Sequence, residues 1–328
     1  MSVRMRLIRL ISMLIACLLL AACSKGTPSS QGSDNAGSEA AVEPRFAVFS
    51  PAIGVMLRDL GFEDDIVGRH SYDTALSASI PVVGSHIEID DELLINAEPT
   101  ILIFEENTIA IPQRIRDLAK DRGWAIWTYK LESLDDIALT IDDLYLKLVG
   151  FPSDANSDGD PTTFEVNPTK RFEVDLPSAR LSRAWRPIGP GADTAGRTLL
   201  LAGTDPAGAL GPGSFHAQMI DRMGIENAIT DGAMWQEFDL EDLVELAPDS
   251  IILFAPEPDQ ALIGEREAMA WSNIEPMLGP IAALPIPAIE HRRVCVVTHP
   301  QALLPSTTLA QVADEIRLWI ETLEDTGP

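Results

Sequence analysis

The 328-residue chain carries 50 acidic and 24 basic residues, which gives a formal net charge of −26 at pH 7. A surface of this sign repels the phosphates of nucleic acids and the headgroups of anionic lipids, so both are disfavoured as partners. The length is sufficient for two hydrophobic cores.

The first 22 residues have the pattern of a secretory signal. Three arginines precede an apolar stretch over residues 10–20, which is too short to span a membrane as a helix. The Leu-Ala-Ala-Cys sequence that ends at Cys23 resembles the bacterial lipobox, which implies cleavage before Cys23 and its lipidation. We therefore predict a lipoprotein signal peptide over residues 1–22 and a mature protein anchored in the cell envelope, facing the periplasm or the exterior.

Residues 23–44 are rich in Ser, Gly and Ala without periodicity, which predicts a flexible tether. Loss of the signal takes three arginines and shifts the formal charge from −26 to −29. Of the three cysteines, Cys17 leaves with the signal and Cys23 is expected to carry lipid. Only Cys295 remains, so we expect no intramolecular disulfide, and we expect this residue to pack as a small apolar side chain of a strand.

Short apolar strands alternate with helices over residues 45–149, which form the predicted N-terminal lobe. The predicted strands are 46–49, 80–83, 100–104 and 124–129, and the predicted helices are 51–60, 112–123 and 134–149. This alternation is typical of a mainly parallel sheet with helices on both faces.

Residues 150–196 lose this pattern and are rich in Pro, Gly and Asp, with one weak helix over 178–185. We interpret them as a connector, part loop and part helix. A C-terminal lobe over 197–328 follows, with predicted strands 198–202 and 294–298, a loop 203–213, and helices ending at 223, 278 and 323. The predicted fold class is therefore α/β, with two similar lobes joined by a connector that is partly helical.

A repeated pattern supports two similar lobes. Glu-apolar-Asp-x-Glu-x-Leu-x-x-x-x-Pro starts at Glu88 and again at Glu237, and a run of large apolar residues follows each copy. In each copy the Asp suits a helix N-cap, the second Glu falls in the first helical turn, and the Pro ends the helix. Glu92 and Glu241 thus occupy equivalent positions.

Enzyme signatures are missing from the sequence. It has no Gly-x-Gly-x-x-Gly after a strand, no Walker loop, no Gly-x-Ser-x-Gly and no His-Glu-x-x-His. The five histidines are scattered along the chain, so their spacing predicts no metal site. We predict a protein that is not an enzyme and has no resident cofactor.

The residues together resemble the solute-binding proteins of ABC importers for cobalamin, ferric siderophores and haem. The resemblance covers about residues 45–325 and depends on the order and spacing of several weak motifs. These motifs are Ser50-Pro51, Leu60-Gly61, Ile66-Val67-Gly68, Pro81-Val82-Val83-Gly84, Glu92-x-Leu94, Gly211-Pro212-Gly213-Ser214-Phe215, Trp235 and Glu241-x-Leu243. The resemblance implies two α/β lobes, a ligand in the cleft between them, little hinge closure and a monomer.

The resemblance also implies roles for single residues. Glu92 and Glu241 match the glutamates with which the family contacts arginines of the membrane permease, although ordinary acids at a helix start also explain them. The predicted ligand-binding residues are Tyr72, His86, Glu105, Trp235 and His299. Tyr72 and Trp235 match aromatic cleft positions of cobalamin binders, whereas His86 and Glu105 stand where aromatics are expected.

A histidine and a glutamate at two positions where aromatics are expected favour haem or another metal complex as the ligand, because histidine and tyrosine can ligate iron. Each histidine has the simpler alternative of a side chain bonded to backbone at the cleft rim. The predicted function is a lipid-anchored receptor that delivers cobalamin or a related metal chelate to an ABC permease. The alternatives are a haem or ferric-siderophore receptor, a free zinc or manganese receptor, and an envelope lipoprotein with a sensory or structural role.

Overall fold

The computed structural model describes residues 44–85, 87–106, 110–149, 176–256 and 269–325. The predicted signal peptide, the lipidation site Cys23, the ligand candidate His86 and most of the predicted connector loop lie outside these residues. Over the described ranges, none of the helices combines the length and apolar character needed to cross a membrane.

The first lobe contains one five-stranded parallel sheet. Its strands are β1 (Phe46–Val48), β2 (Ile66–His70), β3 (Val82–Gly84), β4 (Ile101–Glu105) and β5 (Ala125–Tyr129), in the spatial order β3-β2-β1-β4-β5. Its helices are α1 (Pro51–Asp59), α2 (Asp91–Ala97), α3 (Gln113–Arg122) and α4 (Leu134–Val149). The predicted parallel sheet and the helices at 51–60, 112–123 and 134–149 are confirmed.

The second lobe contains a five-stranded mixed sheet. Its strands are β6 (Thr198–Thr204), β7 (Ala207–Leu210), β8 (Trp235–Phe238), β9 (Ser250–Phe254) and β10 (Val294–Val297), in the order β10-β9-β6-β7-β8. Strands β10, β9 and β6 pair in parallel, whereas β7 pairs antiparallel with both β6 and β8. The α/β class is confirmed. The second sheet was expected to be mainly parallel, and this expectation is corrected, because β7 pairs antiparallel with both of its neighbours.

The helices of the connector and second lobe are α5 (Pro177–Ala184), α6 (Phe215–Met223), α7 (Leu240–Leu246), α8 (Trp271–Leu278), α9 (Pro287–Glu290) and α10 (Leu309–Asp325). Helix α5 confirms the weak helix predicted over 178–185. Short 3-10 segments at Glu63–Asp65, Pro190–Ala195 and Gly279–Ala283 complete the described elements.

Strand β7 lies inside the segment predicted as the loop 203–213. Its sequence Ala-Gly-Ala-Leu has low strand propensity, so its conformation depends on hydrogen bonding to strands on both sides. All four of its residues are buried. A Cβ on Gly208 would lie 2.3 Å from the indole of Trp235, so the small side chains of β7 leave room for that ring.

One apolar core contains residues of both sheets, and each sheet has a second, outer core formed by the side chains of its other face. Phe46 and Val48 of β1 belong to the shared core, whereas the alternating Ala47 belongs to the outer core of the first lobe. In β6, Leu200 faces the shared core and Leu199 the outer core of the second lobe. Continuous buried packing therefore joins the lobes.

Helices α2 and α7, which lie within the two copies of the repeated sequence pattern, begin and end in the same way. Asp90 caps α2 and Asp239 caps α7, each by accepting hydrogen bonds from two backbone N–H groups of the first turn. Glu98 and Ala247 end the two helices with φ of 47° and 43°. Each stands directly before the proline of the repeated pattern. The predicted N-caps and helix ends are confirmed, and the two lobes share the same local backbone path here.

Candidate functional site

The carboxyl ends of the five parallel strands of the first lobe lie at one edge of the sheet. The chain leaves β1 to form β2 on one side and later returns to form β4 on the other, so β1 and β4 flank a topological switch point. Ligands of open α/β sheets bind outside the carboxyl ends of the strands at such a point.

A hydrogen bond joins the two strands at this switch point. Ser50 is the second residue after β1, and its Oγ donates to Oε2 of Glu105, the last residue of β4, across 2.7 Å. Ser50 is buried and also caps α1, which fixes the donor, while Glu105 is half-buried. The predicted ligand residue Glu105 is thus a positioned carboxylate at the switch point.

Tyr72 follows β2 at the same edge. Its backbone N–H donates to Nδ1 of His70 across 3.1 Å, and the two ring centroids are 5.5 Å apart. His70 is buried, whereas 75% of Tyr72 is exposed. Tyr72 therefore presents an aromatic surface to solvent, with only β1 between its strand and that of Glu105.

The loop from Gly84 to Asp90 carries the predicted ligand residue His86, which lies outside the described residues. The backbone N–H of Ser85 donates to the carbonyl of Glu88 across 2.7 Å, and the Ser85 hydroxyl accepts from the N–H groups of Ile87 and Glu88. Ile87 is 71% exposed although it is apolar. This loop follows β3, so it belongs to the same sheet edge as Tyr72.

Trp235 is the first residue of the edge strand β8. The side chain is 49% exposed, and its indole lies against the backbone of Gly208 in β7. The neighbouring Met234 is 58% exposed. The strand backbone supports one part of the ring and leaves the rest open, an arrangement that suits stacking against a flat ligand.

His299 follows β10, at the opposite edge of the second sheet from Trp235. Four strand spacings of about 4.8 Å separate β10 from β8, so the two strands lie about 19 Å apart across the sheet. His299 is buried, and its Nδ1 accepts a hydrogen bond from the Gln301 N–H across 3.2 Å. The structure does not bring these two candidates together, and the burial of His299 does not favour its predicted role.

Another histidine, His216, lies on α6 and is buried in the shared core. Its Nε2 donates to the carbonyl of Ala302 across 2.8 Å, and its ring packs against Phe254 with centroids 4.6 Å apart. Burial lowers the pKa of His216 to about 4. The neutral imidazole is therefore a packed core group at pH 7.

The two candidate docking glutamates lie on exposed first turns. Glu92 in α2 and Glu241 in α7 are both exposed, and each donates its backbone N–H to the capping aspartate before it. Within the described part of the chain, neither carboxylate takes part in an ion pair. Asp91 differs, because it pairs with Arg114 of α3.

The described ranges contain no group of three or more His, Cys, Asp or Glu side chains that could hold a metal ion. A groove of about 130 Å³ lies where α1, α4, α5 and α10 meet, lined by Asp59, Ile141, Arg180 and Thr307 among others. None of the predicted ligand residues lines this groove.

Three residues at the candidate site were not predicted from the sequence as site residues: the buried Ser50 and the exposed Ile87 and Met234. A Ser-Pro pair directly after a strand was available as a signal for Ser50, since it marks a helix cap at the end of a strand. Exposure of Ile87 and Met234 depends on tertiary packing and has no sequence signal.

No protein-family model and no curated protein matches the chain. Solved structures do match. They include a haem-binding protein, RhuT, from Roseiflexus sp. RS-1, at 18% identity and a TM-score of 0.56, with 85% of this chain and 98% of that chain covered.

Two further matches are the vitamin B12 binding protein BtuF of Vibrio cholerae and a possible iron-binding solute-binding protein from Staphylococcus epidermidis. BtuF has 14% identity, a TM-score of 0.54, and coverage of 86% of this chain and 98% of that one. The S. epidermidis protein has 16% identity, a TM-score of 0.54, and coverage of 84% and 98%. The chain therefore has the fold of periplasmic solute-binding proteins, as the sequence predicted.

Proposed function

We propose that this protein is the solute-binding component of an ABC importer and captures a corrinoid or related metal chelate between its two lobes. The observation that carries the proposal is the fold, shared over nearly the whole length of proteins described as binding haem, vitamin B12 or iron. The lipobox-like sequence at Cys23 supports a lipid anchor in the cell envelope. Haem and ferric siderophores are the alternative ligands.

The proposed capture uses aromatic surface and one positioned carboxylate. Trp235 stacks against the flat part of the ligand, with Tyr72 contributing a second ring from the first lobe. Because the backbone of Gly208 already supports the indole, little side-chain freedom is lost on binding. Glu105, positioned by Ser50, accepts hydrogen bonds from the ligand.

Saturable binding tests this proposal. The purified protein is titrated by calorimetry with cyanocobalamin, haemin and ferrioxamine B, and one of them is expected to bind with submicromolar affinity. Trp235→Ala should weaken that affinity about tenfold, since a lost stacking contact of about 1.4 kcal/mol corresponds to this factor. Gly208→Ala should have a similar effect, because a methyl group there displaces the indole.

Trp271→Ala is the control for the titration, since this half-buried tryptophan of α8 packs on the outer core of the second lobe. Its affinity should equal that of the unchanged protein. Equal affinities for Trp235→Ala and the unchanged protein would remove Trp235 from the site, and saturation by none of the three ligands would contradict chelate capture.

The proposed partner is a permease that contacts both lobes through Glu92 and Glu241. Charge reversal of both, Glu92→Arg with Glu241→Arg, should lower ligand uptake by cells at least about tenfold, because like charges then face the arginines of the partner. Ligand affinity of the isolated protein should stay unchanged.

Reversal of two remote exposed acids, Asp121→Arg with Glu321→Arg, is the matched control and should leave uptake intact. Normal uptake with the Glu92 and Glu241 reversal would favour the alternative of an envelope lipoprotein without a transport role.

A further inference from the structure

Strand β8 lies at the edge of the second sheet and, among the described strands, pairs only with β7. Its first residue, Trp235, is paired with Leu210. The end of an edge strand opens easily, because few hydrogen bonds hold its last residues. Met234 and Trp235, which together form an exposed surface, lie at this end of the strand. The position of this Met234–Trp235 surface therefore depends on contacts besides strand pairing.

The side-chain amide of Gln236 supplies such contacts. Its Nε2 donates to the carbonyl of Asp231 across 3.0 Å and to the carbonyl of Ala233 across 3.1 Å. The two hydrogens of one amide group serve both acceptors. In addition, the backbone N–H of Gly211 donates to the carbonyl of Met234 across 3.0 Å. The loop before β8 is thus fastened to the strand by one side chain and to the loop after β7 by one backbone group.

Two glycines make room for the amide of Gln236. A Cβ on Gly211 would lie 2.6 Å from its Nε2, and a Cβ on Gly232, which has φ of 94°, would lie 2.7 Å from the same atom. Both distances are shorter than any ordinary contact of a Cβ atom. The amide is therefore closely packed between two backbone segments, and this packing restricts its rotation.

We infer that Gln236 is a positioning residue of the proposed site and that its amide holds the Met234–Trp235 surface in the arrangement that a flat ligand contacts. The inference rests on the proposed function, in which Trp235 stacks against the ligand. Because neighbouring residues of a strand face opposite sides of the sheet, Gln236 acts through Trp235 and does not touch a ligand that stacks on its ring. A surface that is held in place before binding loses less conformational entropy when the ligand arrives.

Substitutions that preserve side-chain length test the inference. Gln236→Glu keeps the shape but removes both amide hydrogens, and Gln236→Met removes them without adding charge. The full protein in detergent is titrated by calorimetry with cyanocobalamin, haemin and ferrioxamine B. Each variant should weaken the affinity for the probe that binds by about three- to tenfold, and by no more than Trp235→Ala does.

Gln311→Glu is the matched control, because it makes the same change from amide to carboxylate on a half-buried glutamine of α10. Gln311 lines the groove that contains none of the predicted ligand residues, so the affinity of this variant should equal that of the unchanged protein. A double-mutant cycle shows through which group Gln236 acts. When Trp235 is already alanine, most of the effect of Gln236→Met on affinity should disappear, because residues that act through one contact are not additive.

A spectroscopic measurement without ligand separates positioning from a general loss of structure. The chain contains six tryptophans, and labelling with 5-fluorotryptophan gives each of them a fluorine resonance. The resonance that disappears in Trp235→Phe belongs to Trp235. Gln236→Met should shift or broaden this resonance and leave the other five in place, because the amide contacts only the loop before β8 and the loop after β7.

The outcomes separate this inference from the proposed function. An unmoved Trp235 resonance in Gln236→Met, or an affinity equal to that of the unchanged protein, would overturn the inference and leave chelate capture standing. Weaker binding by Gln236→Glu but not by Gln236→Met would assign the effect to charge and would also overturn it, as would displacement of all six resonances. Binding of none of the probes would overturn the proposed function and the role of Gln236 in it, whatever the fluorine spectrum shows.

Discussion

Replacement of Gly84 by alanine is expected to lower the free energy of unfolding by about 3–5 kcal/mol, from backbone strain and overpacking together. Gly84 ends β3 with φ of 127°, a backbone conformation that residues other than glycine rarely adopt. A Cβ there would lie 2.2 Å from the carbonyl oxygen of Glu88 and 2.7 Å from Cα of Ile89. Both contacts are with backbone, so no side-chain rotation can relieve them.

The clash lies inside the loop that carries His86. Relief of the contact requires the loop to open, which breaks the bridge between Gly84 and Ile89 and disturbs the hydrogen bond from Asp90 to Val83 that places α2. Chemical denaturation at pH 7 measures the loss. We also expect weaker ligand binding, because the loop belongs to the proposed site.

Gly123→Ala is the matched control for this effect. Gly123 also has a positive φ, 70°, but a Cβ there meets no atom within 4 Å. The substitution Gly123→Ala should lower the free energy of unfolding by only about 1 kcal/mol, which is the strain of a left-handed residue by itself. Equal losses for the two alanine variants would show that conformation and not close packing determines the effect at Gly84.

Truncation of Trp185 to alanine is expected to lower the free energy of unfolding by about 3–5 kcal/mol. The side chain follows α5 and is 2% exposed in the core shared by both sheets. Arg222 of α6 stacks over the ring with its guanidinium carbon 5.8 Å from the ring centroid. The variant therefore removes a large aromatic group from the contact between connector and lobes.

Trp185→Phe separates packing from polar effects. The indole Nε1 is buried and has no hydrogen-bond partner among the described residues, so its removal sacrifices no hydrogen bond. The phenylalanine variant should cost no more than about half of the alanine loss, in proportion to the smaller cavity. A near-zero change in the free energy of unfolding for Trp185→Ala would contradict a stabilising role for this side chain.

The shared core also predicts how the protein unfolds. Since Phe46 of the first lobe and Ile316 of α10 belong to the same buried cluster, heating should give one cooperative transition for both lobes. Scanning calorimetry of the unchanged protein and of Trp185→Ala measures this. Two separate transitions would mean that the lobes unfold independently despite the shared core.

The helix starts near the candidate site were predictable because their signals are local. Ser-Pro after a strand, Asp before a helix and Glu in a first turn act over a few residues, so helices α1, α2 and α7 begin where the sequence suggested. Pairing of Glu105 with Ser50, 55 residues away, depends on the order of strands β1 and β4, which periodicity does not reveal.

Sequence alone determined the α/β class, the duplicated lobes and most helices, because burial periodicity, caps and prolines are properties of short segments. Only the tertiary structure decided that β7 is a strand, since Ala207 to Leu210 become extended through hydrogen bonds with two neighbours rather than through their own propensity. It also decided that His299 and Trp235 lie on opposite edges of one sheet. Strand order sets that distance, and strand order follows from the packing of distant segments into a common core.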